Sequence, residues 1–303
     1  MNGRRITALV ILVALIAGIT GIIIHDKKTN SNTQGLQVVA AENFWGNIAQ
    51  QIGGSYVHVT SIITDPNADP HLYESDARDA ADVAAAKVVI VNGVGYDDFM
   101  NKLLGASTNT SRTVVSAQQI LGVAEGANPH LWYDIPRVHE VADSIEAAYA
   151  AKDPAHTSQY QHNLLVFNQS LQPLLQTINT IKQKYAGTPV AYTEPVPGYL
   201  LNAAGLNVLT PEGFAKSIED GDDPSPADTN AMDTLMTNKS VKVLLYNAQT
   251  VSPVTENVKS LAKQANIPVI GVTETMPTTA GTTYQTWQAD QLQELQNALA
   301  SAN

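Results

Sequence analysis

The chain contains no cysteine. That absence excludes disulfides, thiolate zinc sites, iron–sulfur clusters and cysteine nucleophiles together. A metal site in this protein must be built from imidazole and carboxylate groups. Basic residues are also scarce: 17 Lys and Arg stand against 28 Asp and Glu, a formal charge of −11. Phosphate recognition needs a basic face, so nucleic acid is not an expected partner. Several motifs are missing too. Gly93-Val94-Gly95 is followed by no phosphate-binding lysine, and no nucleophile elbow is present. The acidic run Glu219–Asp223 lacks the alternating ligands and closing glutamate of an EF-hand loop, and reads as a solvated loop before a helix starting near Pro226.

What is present suits a soluble fold with a substantial core. The sequence is 44% hydrophobic over 303 residues, enough for two domains of ordinary size. Arg4 and Arg5 precede an apolar run from Ile6 to Ile24, close to the ~20 residues that span a bilayer as a helix. A positive patch before an apolar stretch reads as a secretory signal. With no small-x-small cleavage site and no cysteine for lipid attachment, it is expected to stay as a membrane anchor rather than be removed as a signal peptide. The folded part is then held outside the cytoplasm, at the cell surface. Lys27 to Gln34 forms a tether.

Beyond the tether, short buried strands alternate with helices. Strand candidates are Gln37–Ala41, Val57–Ile63, Val88–Val91 and Thr113–Val115, then Pro189–Thr193, Leu206–Leu209, Val241–Tyr246 and Pro268–Val272. Helical spacing marks Asn43–Ile52, Glu74–Ala86 and Trp287–Ala300. From Val138 to about Tyr185 only helical periodicity occurs. It predicts two helices separated at Asp153-Pro154, the second unusually long, with Pro173 as a point of bending or breakage. The expected fold is α/β: two similar lobes with mostly parallel sheets, joined by one long helix. The corresponding segments are an anchor and tether over 1–34, an N-terminal lobe over 35–155, a linking helix over 156–187 and a C-terminal lobe over 188–303.

Four segments put a metal-ligand side chain in a loop or just past a strand, where ligands of open α/β sheets collect. Two of them, Asp69-Pro70-His71-Leu72-Tyr73-Glu74 and Asn128-Pro129-His130-Leu131-Trp132-Tyr133-Asp134, share a Pro-His-Leu centre followed by an aromatic residue and an acid. Proline before each histidine restrains the approaching chain. The other two are Thr193-Glu194-Pro195 and Thr273-Glu274-Thr275, each with an acid following a strand. Two neutral imidazoles and two carboxylates form a nitrogen/oxygen set that suits zinc or manganese, and copper(I) would prefer sulfur. Four protein donors favour holding an ion over using it in catalysis.

On Asp69-Pro70-His71 with Tyr73-Glu74, Asn128–Trp132, Glu194-Pro195 and Val272-Thr273-Glu274, the chain resembles the cluster A-I, metal-specific substrate-binding proteins of ABC importers. The likeness covers essentially everything after the tether. It implies two lobes bridged by one long rigid helix, with one divalent ion, Zn2+ or Mn2+, bound as cargo in the cleft between them. It further implies an ABC permease as partner, a monomer, and no enzymatic role. Carried over by position, His71 and His130 are ligands from the first lobe and Glu194 is the first ligand from the second. The family's usual aspartate after the final strand is absent; Glu274 is the only acid nearby and takes its place. The histidine-rich acidic loop of zinc-handling relatives is also absent. Glu42, Asp69 and Asp134 are candidates for the shell of groups that orients metal-bound histidines. His25, His58, His139, His156 and His162 read as tether, strand-face or helix-surface residues. The rival functions are a secreted metal-dependent hydrolase using the same residues, which needs an open coordination position and a general base, and a surface adhesin with a structural metal.

Overall fold

The computed structural model describes residues 35–66, 73–107 and 109–302. The expected anchor and tether, together with Asp69 and His71, lie outside the described residues. Among the described residues no helix is long and apolar enough to cross a membrane.

The first half alternates β1 (Leu36–Glu42), α1 (Asn43–Gly53), β2 (Val57–Ile63), α2 (Ala77–Ala85), β3 (Val88–Val91), α3 (Asp98–Ala106), β4 (Thr113–Ser116) and α4 (Ala117–Leu121). Three helices follow: α5 (Val138–Lys152), α6 (Thr157–Ser170) and α7 (Gln172–Tyr185). The second half resumes with β5 (Pro189–Tyr192), α8 (Gly198–Ala203), β6 (Asn207–Val208), α9 (Glu212–Glu219) and α10 (Pro226–Thr237). It ends with β7 (Leu244–Asn247), α11 (Pro253–Gln264), β8 (Val269–Val272) and α12 (Tyr284–Ser301).

Each half builds one four-stranded, wholly parallel sheet, in the orders β2-β1-β3-β4 and β6-β5-β7-β8. The two orders are equivalent, so the halves repeat one topology and the expected pair of similar α/β lobes is present. All four residues of β3 are buried, as its uninterrupted Val-Val-Ile-Val requires of a strand covered on both faces. Helix α1 lies so close on β2 that a Cβ at Gly46 would meet the Ser61 hydroxyl.

The long helix between the halves is bent. Helices α6 and α7 meet at Leu171, and Pro173 sits in the first turn of α7. A proline there lacks only an N–H that has no partner in a first turn, so it marks the break at little cost. Two helix starts differ from expectation, both because a capping box sets them. Helix α2 begins at Ala77, not Glu74, since the Asp76 carboxylate accepts the N–H groups of Arg78 and Asp79. Helix α12 begins at Tyr284, not Trp287, behind the Thr283 cap. Strand β7 starts at Leu244, three residues later than expected.

One hydrophobic cluster runs from Val38 through Tyr149 and Ile178 to Leu299 and draws on both sheets and the bent helix. The halves are therefore packed on a shared core, which brings the carboxyl ends of the two sheets to one region of the molecule.

Candidate metal centre

The carboxyl ends of the strands supply most of the site. Glu194 follows β5, Asn247 ends β7 and Glu274 follows β8, while Glu42 ends β1 and Asn92 follows β3. His130 comes from the loop after α4, held by Pro129 on one side and a helical turn over Leu131–Tyr133 on the other.

His130, Glu194 and Glu274 converge. One ligand atom from each lies within 4.8 Å of the others, and all three side chains are buried. Glu274 Oε2 stands 3.5 Å from His130 Nε2. Three of the four expected ligands thus meet, one from the first half and two from the second; the fourth, His71, is outside the described residues.

Neutral side chains set the orientation of each. The Asn128 amide nitrogen donates to Pro195 O at 2.7 Å, which fixes Asn128 Oδ1 as an acceptor. That oxygen receives the His130 backbone N–H at 3.0 Å and stands 2.7 Å from His130 Nδ1. In the neutral ring Nδ1 therefore carries the proton and Nε2 presents its lone pair towards Glu274. Asn92 steadies the same loop, donating to Pro129 O at 2.8 Å while accepting from Trp45 Nε1 at 3.2 Å. On the other side, Tyr96 donates its hydroxyl to Glu274 Oε2 at 2.9 Å. Burial and the nearby Glu274 carboxylate push the Tyr96 phenol well above its ordinary range, so it remains a donor. Asn247 Nδ2 donates both to Glu194 Oε2 and to Glu274 Oε1, the latter at 2.7 Å. Gln249 Oε1 accepts the backbone N–H groups of Glu274 and Thr275.

An aromatic wall closes the site. The Trp132 ring stacks on Phe44 with centroids 3.9 Å apart and lies 5.2 Å from the His130 ring. Tyr96 lies 4.8 Å from Trp132 on another side. Such a shell lowers the local dielectric and limits water, which strengthens every charge interaction inside.

Two further acids stand nearby. Asp97 accepts the N–H groups of Asn92 at 2.7 Å and Gly93 at 2.8 Å. Glu42 is wholly buried, and among the described residues neither of its carboxyl oxygens has a hydrogen-bond partner. Burial first, then the Asp97 charge, raises the Glu42 carboxyl well above the ordinary carboxylate range. Glu42 does not orient His130, a role taken by Asn128. Asp134 is only partly buried and is not part of the cluster.

Sequence reasoning missed Asn247, Tyr96, Asn92 and Gln249. Asn247 carries one readable signal, a polar residue closing an apolar strand at the end where ligands gather.

The family profile described as "Zinc-uptake complex component A periplasmic" (ZnuA) matches residues 38–298. The manganese-binding lipoprotein MntA of Bacillus subtilis is 30% identical over 156 residues, 49% of this chain and 51% of MntA. The chain thus spans about half the length of that relative. The periplasmic zinc-binding protein TroA of Treponema pallidum superposes with a TM-score of 0.72 at 20% identity, covering 88% of this chain and 99% of TroA. FpvC of Pseudomonas aeruginosa, solved in complex with Mn2+, superposes with a TM-score of 0.75 at 22% identity, covering 89% and 100%. At these identities the two structures establish a shared fold. With the profile spanning both sheets and all three converging residues, this chain belongs to the ZnuA family.

Proposed function

We propose that the chain is the extracytoplasmic binding subunit of an ABC importer, and that it captures one Zn2+ or Mn2+ ion through His71, His130, Glu194 and Glu274. The observation that carries this reading is the convergence of His130, Glu194 and Glu274 within 4.8 Å in a buried site. His71 joins them on its Pro-His-Leu context, which matches that of His130.

The charge balance supports the same conclusion. Four carboxyl groups (Glu42, Asp97, Glu194 and Glu274) are buried among the described residues, and no lysine or arginine is. Buried carboxylates at such separations raise one another's energy, and a divalent cation offsets both the repulsion and the desolvation. An imidazole lone pair beside two carboxylates is a borderline-hard set that accommodates zinc and manganese. Membership of the ZnuA family favours capture for transport over catalysis, with a membrane permease as the receiving partner. MntA is named for manganese and TroA for zinc, which matches the range that the donor set allows.

Titration calorimetry of the metal-free protein should show one ion bound per chain, and His71→Ala with His130→Ala should abolish it. Persistent one-to-one binding by the double variant would overturn the ligand set. Ester hydrolysis by the zinc-loaded protein, lost in the same variant, would favour the hydrolase instead.

A further inference from the structure

We infer that Tyr96 is a positioning residue for the ion site: the strained turn Gly93-Val94-Gly95 sets its hydroxyl on Glu274 Oε2, and that bond presents the carboxylate to the ion. The inference rests on the reading of Glu274 as a ligand.

Gly93, Val94 and Gly95 have φ of 85°, 57° and 80°, three left-handed residues in succession. Glycine takes that region freely, but a β-branched residue such as Val94 does so only when its surroundings force it. Bonds on both sides supply the force. The Asp97 carboxylate accepts the N–H groups of Asn92 and Gly93, and Gln118 grips the turn from α4. The Gln118 backbone N–H donates to Asn92 O at 2.9 Å, and its side-chain oxygen accepts the Val94 N–H at 2.9 Å. A Cβ at Gly93 would lie 2.6 Å from the Gln118 Cβ, so the turn seats there only with glycine. The Val94 side chain is buried in the core that the two halves share.

The side chain that this turn delivers is Tyr96. Its N–H donates to Gly93 O at 3.2 Å, and its ring lies 4.8 Å from Trp132 and 5.8 Å from His130. Its hydroxyl crosses to the other half and donates to Glu274 Oε2 at 2.9 Å. Asn247 holds Oε1 of the same carboxylate at 2.7 Å. Each half thus holds one oxygen, and two holds fix the plane of a carboxylate where one would let it pivot. A carboxylate oxygen has two lone-pair sites, so Oε2 accepts from Tyr96 on one and keeps the other for an ion beside His130 Nε2, 3.5 Å away. Strain that the surroundings over-determine belongs to segments that place a functional group. Here that group is the Tyr96 hydroxyl.

The test measures affinity for Zn2+ and Mn2+, by competition with a chromophoric chelator, on the full wild-type chain, Tyr96→Phe, Gln118→Ala and the double variant. Tyr96→Phe keeps the buried ring and removes only the hydroxyl. It should weaken binding by roughly 10–100-fold, the range for removing a group that orients a metal ligand. Gln118 bonds the turn and Glu125. Gln118→Ala should therefore weaken binding in the wild-type chain and add no further loss once the hydroxyl is gone. A residue that merely supports the fold would move the urea midpoint, but its effect on ion affinity would not depend on the Tyr96 hydroxyl. No loss from Tyr96→Phe, no loss from Gln118→Ala, or equal losses from Gln118→Ala with and without the hydroxyl would overturn the inference. If the wild-type chain binds neither ion, or Glu274→Ala binds normally, the ligand reading itself fails and this inference with it. If Glu274→Ala abolishes binding while Tyr96→Phe binds as wild type does, only the present inference fails.

Discussion

Asn43 closes a two-bond ring with the backbone of Met276, donating from Nδ2 to Met276 O at 2.9 Å and accepting Met276 N–H on Oδ1 at 3.0 Å. It is the first rung of a ladder. One turn along α1, Asn47 Oδ1 accepts the Tyr284 N–H at 2.9 Å, and one turn further Gln51 exchanges amide bonds with Gln285. A neutral stripe on the first half therefore grips one segment of the second. Glu274 precedes that segment by two residues, so the grip also holds a carboxylate in place against His130.

Removing the grip should cost stability. Asn43→Ala is expected to lower the unfolding free energy by about 1–3 kcal/mol, since two backbone groups lose their partner. Asn43→Asp should cost at least as much, because a carboxylate would face the Met276 carbonyl. Urea denaturation of the ion-free protein checks both, and midpoints equal to wild type would show that the ring contributes nothing.

Glu42 gives the protein a pH dependence of defined sign. An acid whose folded pKa is raised binds its proton more tightly in the folded state than in the unfolded one. Its contribution is fully present below the ordinary value of 4.5 and is lost as pH rises through the raised value. Glu42→Gln, which mimics the protonated form, should be more stable than wild type at neutral pH, with the gap closing near pH 4. Thermal unfolding across that range measures it; a gap that widens on acidification would reverse the assignment.

Asn128 fixes the ring of His130, so its loss should weaken ion binding without unfolding the chain. Asn128→Ala is expected to reduce affinity by about 10–100-fold. Asn128→Asp, which keeps the acceptor for Nδ1–H and loses only the donor to Pro195 O, should retain more. Calorimetry on both variants gives the order, and wild-type affinity for Asn128→Ala would remove the orienting role.

The contact between α1 and β2 leaves no room at Gly46. Gly46→Ala should destabilise by about 1–3 kcal/mol through overpacking, although alanine is the better helix former. Because the clash is mainly with the Ser61 hydroxyl, adding Ser61→Ala should restore part of the loss. A double-mutant cycle by denaturant unfolding reads the coupling, and strict additivity would mean that the strain lies elsewhere.

Much of the architecture is legible in the sequence because it follows from local patterns. Val88–Val91 has to be a strand buried on both faces, and the alternation of such runs with helical periodicity gives parallel sheets. The convergence of His130, Glu194 and Glu274 could be expected because each follows a strand or a Pro-restrained loop at the same end of a sheet. The break at Leu171 was half legible: Pro173 flagged it, but a hydrophobic pattern continuous on both sides hid it. What stayed hidden were the amides. Asn43, Asn92, Asn128 and Asn247 act through partners far along the chain, such as Met276 or Glu194, and an asparagine at a loop or helix start looks the same whether it binds water or a distant carboxylate. The helix starts at Ala77 and Tyr284 depend on which of several polar residues wins the capping contact, and that is settled by tertiary packing.

All three tryptophans of the chain, Trp45, Trp132 and Trp287, belong to the wall and supports of the site. Trp132 lies against His130, Trp287 donates to Thr273 Oγ1 at 3.0 Å beside Glu274, and Trp45 donates to Asn92, which steadies the His130 loop. Indole emission responds to charge and to neighbouring groups. With no tryptophan elsewhere to dilute the signal, the unlabelled protein carries its own optical gauge, and filling or emptying of the buried site becomes visible as a change in the colour or brightness of its intrinsic fluorescence.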